Sequence, residues 1–222
     1  MTPHFYELQG LVFLLLLKVM KRLEYLQNLC YNNFGDVMQI LYGGAFNPPT
    51  QAHFRIIEYL SHHYPNDELI LLPANQYYKT DVVSFEHRQK MLELMIESIT
   101  TKVTISNYEA NQMKFSGTIE TLRAFNHPLF VLGADQILAI EQWIAFPQVI
   151  VENQFLVFPR NGIDVEIFIN NHPILQPYRN HFTMAMDFTE CNVSSSQYRM
   201  YEQKVLTLEV ERYINEHQLY KR

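Results

Sequence analysis

The sequence predicts an α/β fold: a mostly parallel sheet, doubly wound, with helices over both faces. Short apolar runs alternate with stretches of helical periodicity from residue 38 onward, and the breaks between them are rich in Pro, Gly, Asn and Asp. Successive strands separated by helices need crossover connections, which are almost always right-handed and lay the helices against the sheet. No internal repeat or low-complexity tract interrupts the series. In such a fold the ligand belongs at the carboxyl ends of the strands, near the point where the strand order reverses.

Each element has its own local cause. Met38–Tyr42 is apolar and reads as the first strand. His53–Tyr64 reads as a helix with Phe54, Ile57 and Leu60 on one face, broken by Pro65-Asn66-Asp67. Glu68–Leu72 is the next strand, closed by Pro73. After a loop to Val83, Ser84 caps a helix whose Met91, Leu94 and Met95 face inward. Strand Val103–Ser106, helix Thr118–Phe125, strand Leu129–Leu132, a short helix around Trp143 and strand Gln154–Phe158 continue the alternation, and Gln203–His217 reads as a closing helix.

The bulk numbers describe a single-core chain. With 222 residues and 48% hydrophobic content, it can bury a sizeable core. A net charge of −6 without a Lys/Arg cluster argues against nucleic acid or an anionic membrane as partner. Cys30 and Cys191 lie far apart without metal-ligand spacing, which points to reduced thiols and a cytoplasmic location. Adjacent His62 and His63 point to different helix faces and read as a solvated helix end.

Residues 1–37 stand apart from the domain expected over 38–222. The apolar run Leu11–Leu17, stopped by Lys18, is too short to span a bilayer, its flank Met1–Gly10 carries no Lys or Arg, and no small-residue cleavage site stands out. Leu16, Met20, Leu23 and Leu26 have helical spacing, suited to a helix packed on the domain or in a homo-oligomer contact. Translation starting at Met38 is the other reading.

Two segments carry chemistry. Gly43-Gly44-Ala45-Phe46-Asn47-Pro48-Pro49-Thr50-Gln51-Ala52-His53 joins the first strand to the first helix. A Gly-Gly turn alone is only a tight connection. Followed by a helix whose first turn offers unpaired N–H groups, a positive dipole end and a histidine, it reads as a nucleotide-phosphate cradle. Far downstream, Val193-Ser194-Ser195-Ser196-Gln197-Tyr198-Arg199 precedes the closing helix. The serines alone would be ordinary caps. Arg199, one turn beyond Ser196, could fork onto phosphate oxygens beside them.

The first segment resembles the phosphate-binding motif of the nucleotidyltransferase superfamily, Gly-Gly-x-Phe-(Asn/Asp)-Pro-(x)-(His/Thr)-x-Gly-His, with Thr50 at the His/Thr position, Ala52 where glycine is usual, and His53 closing it. The second resembles the Ile-Ser-Ser-Thr-x-x-Arg element with which that superfamily closes over the ATP phosphates. Gly133-Ala134-Asp135 with Trp143 eight residues later, Ser116–Leu122, and Phe85–Leu92 with its Arg-x-x-Met-Leu pattern are similar to segments of the nicotinate-nucleotide adenylyltransferase branch. The resemblance runs from Met38 to the C-terminus.

It implies a Rossmann-like sheet of the nucleotidyltransferase type and transfer of the adenylyl group of ATP to nicotinate mononucleotide. His53, Thr50 and Arg199 would be catalytic. Gly43, Gly44, Phe46, Asn47, Gly133, Asp135, Ser195 and Ser196 would join His53 and Arg199 around ATP. Lys79, Arg88, Thr118 and Trp143 would meet the acceptor, with Mg²⁺ bridging phosphate oxygens and no dedicated protein ligand set. Trp143 would line the pyridine pocket, although a lone tryptophan also commonly fills a core. The chemistry needs no protein nucleophile, because the attacking phosphate is already ionised; alignment and charge neutralisation remain.

Two departures limit the reading. Ala52 requires a backbone without positive φ. The loop Ala74–Thr80 lacks the Pro-Pro-His-(Lys/Arg) string of the branch. A sister enzyme using nicotinamide mononucleotide or another phosphorylated acceptor, and a nucleotide sensor without turnover, remain as alternatives.

Overall fold

The computed structural model describes residues 37–75, 82–201 and 204–221. Lys79, Cys30, the apolar run Leu11–Leu17, the helically spaced Leu16, Met20, Leu23 and Leu26, and Gln203 at the expected start of the closing helix lie outside the described residues. The fold is that of the unit Gln39–Arg222.

Six strands form one parallel sheet: β1 (Gln39–Gly44), β2 (Glu68–Pro73), β3 (Val103–Ile105), β4 (Leu129–Gly133), β5 (Gln154–Phe158) and β6 (Phe182–Met184), in spatial order β3-β2-β1-β4-β5-β6. The chain winds outward from β1 through β2 to β3, then returns to the other side of β1 and winds outward again. This is the doubly wound order, with its switch point between β1 and β4.

The two faces follow from the period of two along each strand. Leu41, Ile70, Leu72, Phe130, Leu132, Phe155 and Val157 share one apolar cluster with Ile119 and Leu122 of α3 (Thr118–Ala124), Ile137 of α4 (Ala134–Ile137), Val149 and Ile150 of α5 (Gln148–Glu152), and Val165 and Ile169 of α6 (Val165–Asn171). The alternate residues Ile40, Leu69, Leu71, Val131 and Leu156 are buried on the opposite face. Ile57 and Leu60 of α1 (Gln51–His63) and Met91, Leu92 and Met95 of α2 (Phe85–Ile96) supply buried apolar surface to the structure, and α8 (Leu208–Glu216) packs on α2 with Val210 and Ile214 buried. Burying side chains of this size contributes roughly 1.5–3 kcal/mol each, which is what holds both layers.

Several boundaries and faces differ from the sequence expectation. In α2 the buried stripe is Arg88, Met91, Leu92 and Met95, and Leu94 is only half-buried. The spacing i, i+3, i+4, i+7 from Arg88 selects Leu92, and the expected Leu94 falls off the stripe. The turn before Trp143 is a short 3₁₀ segment, Ile140–Gln142, with Trp143 as the extended residue that ends it. Strand β6, helix α6 and the 3₁₀ stretch Gln176–His181 have no counterpart in the expected series. The expected closing helix is α8 alone, preceded by a separate helix α7 (Ser195–Tyr201). Among the described residues no helix is long and apolar enough to cross a membrane.

Candidate active site

Strands β1 and β4 pair only as far as Tyr42 and Val131. Beyond that point β1 stays with β2, Gly43 opposite Leu72 and Gly44 opposite Pro73, while β4 stays with β5, Leu132 opposite Val157 and Gly133 opposite Phe158. The two strands part, and the crevice they open divides into two cavities. A larger one, of about 660 Å³, is lined among others by Asn47, His53, Asp135, Arg160, Ser194–Ser196 and Arg199. A smaller one, of about 280 Å³, is lined by Thr118, Phe130 and Trp143. Gly43, Gly44, Ala45 and Gln136 line both.

The glycines leave room for rings as well as for ligand. A Cβ on Gly43 would lie 3.2 Å from the Phe130 ring, and one on Gly44 would lie 3.2 Å from the Phe46 ring. The left-handed residue of the motif is Phe46, at φ 47°, and not a glycine. Ala52, where the family pattern has glycine, sits inside α1 without positive φ, so the departure there introduces no backbone strain.

His53 enters the larger cavity from the first turn of α1. Its Nδ1 accepts the backbone N–H of Thr50 at 2.9 Å, the place a glutamate takes in an ordinary capping box. An amide can only donate, so in the neutral ring the proton sits on Nε2. Burial, reinforced by the positive charge of Arg160, lowers the pKa of His53 to about 4. The imidazole is therefore a neutral N–H donor at physiological pH.

Thr50 and Phe46 do not occupy the positions expected for phosphate or ATP contacts. Thr50 is fully buried, its hydroxyl 2.8 Å from His53 Nδ1, and it lines neither cavity. It orients the histidine instead. Phe46 is also buried, its ring 5.1 Å from the His53 ring and 5.5 Å from Tyr42, forming the wall behind the imidazole. For Thr50 the reason is the cap itself: a residue at the N-cap turns its side chain back onto the helix's first turn.

The three serines have separate tasks. Ser194 Oγ accepts the N–H of Gln197 at 3.2 Å, and Gln197 Oε1 accepts the N–H of Ser194 at 2.7 Å, a reciprocal capping box that starts α7. The Ser195 hydroxyl donates to the carbonyl of Pro48 at 2.7 Å, tying α7 to the glycine-rich loop. Ser196 Oγ accepts from Arg199 at 3.3 Å, and the other arm of that guanidinium donates to the carbonyl of Asn47. Arg199 thus bridges the two sequence motifs, 152 residues apart, at the rim of the cavity. Asn47 Oδ1 in turn accepts the N–H of Val83 at 3.1 Å and the Tyr220 hydroxyl at 2.7 Å.

At the end of β4, Asp135 lies over Gly133 so closely that a Cβ there would meet its carboxylate at 2.6 Å. The carboxylate is 3.6 Å from Arg160, which follows β5. Gln136 folds back to accept the N–H of Gly133 at 3.0 Å. Sequence reasoning missed Arg160 and Gln136. Gln136 stands next to the Gly-Ala-Asp segment, and Arg160 stands between a strand and an Asn-Gly turn, a position at the carboxyl end of the sheet that could have flagged it.

On the smaller cavity, Thr118 and Trp143 come together as expected, the indole edge-on to Phe130 at 6.3 Å. Arg88 does not join them. It is fully buried, and its guanidinium donates to the carbonyls of Val83 (3.1 Å), Ala45 (3.0 Å) and Ala74 (2.8 Å), binding the loop after β1 to the end of β2 and the start of α2. A charge this deep is kept by hydrogen bonds to backbone oxygens, which makes Arg88 part of the frame. The His62–His63 pair does end α1 in solvent, with His63 also 3.0 Å from Asp187.

Comparison with known proteins agrees with this geometry. Residues 41–201 match the cytidylyltransferase-like family. A protein of Acholeplasma laidlawii named "Probable nicotinate-nucleotide adenylyltransferase" is 33% identical over 189 residues, 82% of this chain and 97% of that protein. One of Helicobacter pylori with the same name is 33% identical over 140 residues, 60% of this chain and 79% of that protein. The nicotinic acid mononucleotide adenylyltransferase of Plasmodium falciparum, solved with NaAD, shares the fold at a TM-score of 0.69 and 21% identity, over 83% of this chain and 98% of that one. The chain belongs to the cytidylyltransferase-like family of nucleotidyltransferases, on its nicotinate-nucleotide adenylyltransferase branch.

Proposed function

We propose that the protein transfers the adenylyl group of ATP to nicotinate mononucleotide, forming nicotinate adenine dinucleotide and pyrophosphate in NAD biosynthesis. The observation that carries this reading is the pair of cavities meeting at Gly43-Gly44-Ala45, one rimmed by His53, Arg199 and the serines, the other by Thr118 and Trp143. ATP fits the larger and the pyridine mononucleotide the smaller. A phosphate oxygen of the mononucleotide then reaches the α-phosphorus over the glycines, forming one O–P bond as the bond to the leaving pyrophosphate breaks.

His53 offers its Nε2–H to the charge growing on the bridging oxygen, with Thr50 and Phe46 holding the ring. Arg199 and Ser196 meet the β- and γ-phosphates, while Asp135 and Arg160 flank the same cavity. Such preorganised donors act without reorganisation cost at the moment of transfer. Among the described residues no three His, Cys, Asp or Glu side chains cluster to hold a metal ion. Asp135, the carboxylate of the larger cavity, is engaged with Arg160. Mg²⁺ would enter with ATP, without a dedicated set of protein ligands, and would supply further charge neutralisation.

The test is dinucleotide formation and pyrophosphate release by the full chain with MgATP and a panel of acceptors. Nicotinate mononucleotide should be turned over most efficiently. Preference for nicotinamide mononucleotide would make this a sister enzyme, and ATP binding without turnover would make it a sensor.

A further inference from the structure

Helix α8 ends in a turn that sends the chain back toward the glycine-rich loop. The N–H of Leu219 donates to the carbonyl of Ile214 at 3.1 Å and that of Gln218 to Asn215 at 3.3 Å, with Gln218 left-handed at φ 54°. This is a Schellman closure with glutamine where glycine is usual. Two residues later Tyr220 is also left-handed, at φ 59°. A bulky aromatic in that region is uncommon and persists only where its surroundings hold it. What holds it here is the active-site frame.

The Tyr220 hydroxyl donates to Asn47 Oδ1 at 2.7 Å, and its ring lies edge-on to Tyr198 at 5.9 Å. Tyr198 is the neighbour of Arg199 on α7, and the Asn47 carbonyl accepts from Arg199 itself. Tyr220 therefore touches Asn47, which accepts from Arg199, and Tyr198, the residue beside Arg199 on α7. Burial raises its pKa, so the phenol stays protonated and donating across the working range, even with the charges of Arg199 and Arg88 nearby. The start of α1 is tied to the same end of the chain, Gln51 N–H to the Val205 carbonyl at 2.7 Å.

We propose that Tyr220 is a positioning residue for ATP binding, fixing Asn47 and Tyr198 so that the Arg199 guanidinium stays aimed at the triphosphate. This rests on the reading of Arg199 as a phosphate-gripping residue. Tyr220→Phe keeps the ring and removes only the donor, leaving Asn47 Oδ1 its bond from Val83.

The experiment is calorimetric titration of the full chain with MgATP in the absence of acceptor, alongside steady-state kinetics. Losing one hydrogen bond of this kind should weaken ATP binding about 3- to 10-fold, with the acceptor KM unchanged. In an Arg199→Lys background the same change should have less than about a 2-fold effect, since coupled residues are not additive. Equal weakening in both backgrounds, or no weakening in the wild type, overturns the proposal. A chain that binds MgATP but makes no dinucleotide overturns the proposed reaction while the affinity comparison still decides the role of Tyr220. A chain that binds no MgATP overturns both.

Discussion

Arg160 acts on His53 across the larger cavity, adding its positive charge to the effect of burial in keeping the imidazole unprotonated, with a pKa lowered from 6.5 to about 4. The unfolded chain then binds the proton more readily than the folded one between those two values. Stability from this group is therefore fully present above about pH 6.5 and is lost as the pH falls toward 4. Unfolding free energies of the wild type and of His53→Gln, compared from pH 4 to 8, should converge on the acid side. A constant difference across the range would mean that the ring is not held neutral.

His53→Ala should lower turnover by ~10²-fold or more while the fold survives, the usual scale for losing a preorganised donor. Near-normal turnover in a folded variant would remove His53 from the mechanism. Thermal melting beside the kinetics separates the two causes.

Arg199→Lys should weaken ATP binding and turnover together. An ammonium cannot span Asn47 and Ser196 as the planar guanidinium does while still facing phosphate. Wild-type ATP affinity and turnover in the lysine variant would reduce Arg199 to a structural tie between the two motifs.

Trp143→Phe should raise the KM of the acceptor more than that of ATP, because the indole lines the smaller cavity and not the larger. Its packing on Phe130 gives the alternative a clear signature. Equal shifts in both constants together with a lower melting temperature would assign Trp143 to the core.

A chain beginning at Met38 should fold and keep its acceptor selectivity, since every residue placed in the two cavities lies between Tyr42 and Arg199. Exposing the Leu11–Leu17 run to water is unfavourable at about 25 cal/mol per Å² of apolar surface, so in the full chain that run needs cover. Melting and sizing of both forms decide the matter. A markedly less stable or inactive shorter chain would show that residues 1–37 belong to the working fold.

The sequence by itself determined the cadence of the sheet, down to the bounds of β5, and both motifs that meet at its switch point. Alternation, helical spacing, glycines and caps are local properties, and local properties are legible one segment at a time. It also brought out Ser195, Ser196, Arg199, Asp135, Thr118 and Trp143, which all line the cavities. Direction was another matter. Thr50, Phe46 and Arg88 sit in the right segments yet turn away from the cavities, because an N-cap bends inward, the Phe46 ring packs on His53 and Tyr42, and a buried guanidinium seeks the backbone carbonyls of Val83, Ala45 and Ala74. Arg160 and Tyr220 carried no motif, and β6 was too short to show a pattern. Their places depend on which strand lies beside β4 and on how the C-terminus returns to Asn47. Those are contacts between residues far apart in the chain, and only close packing of the whole fold decides them.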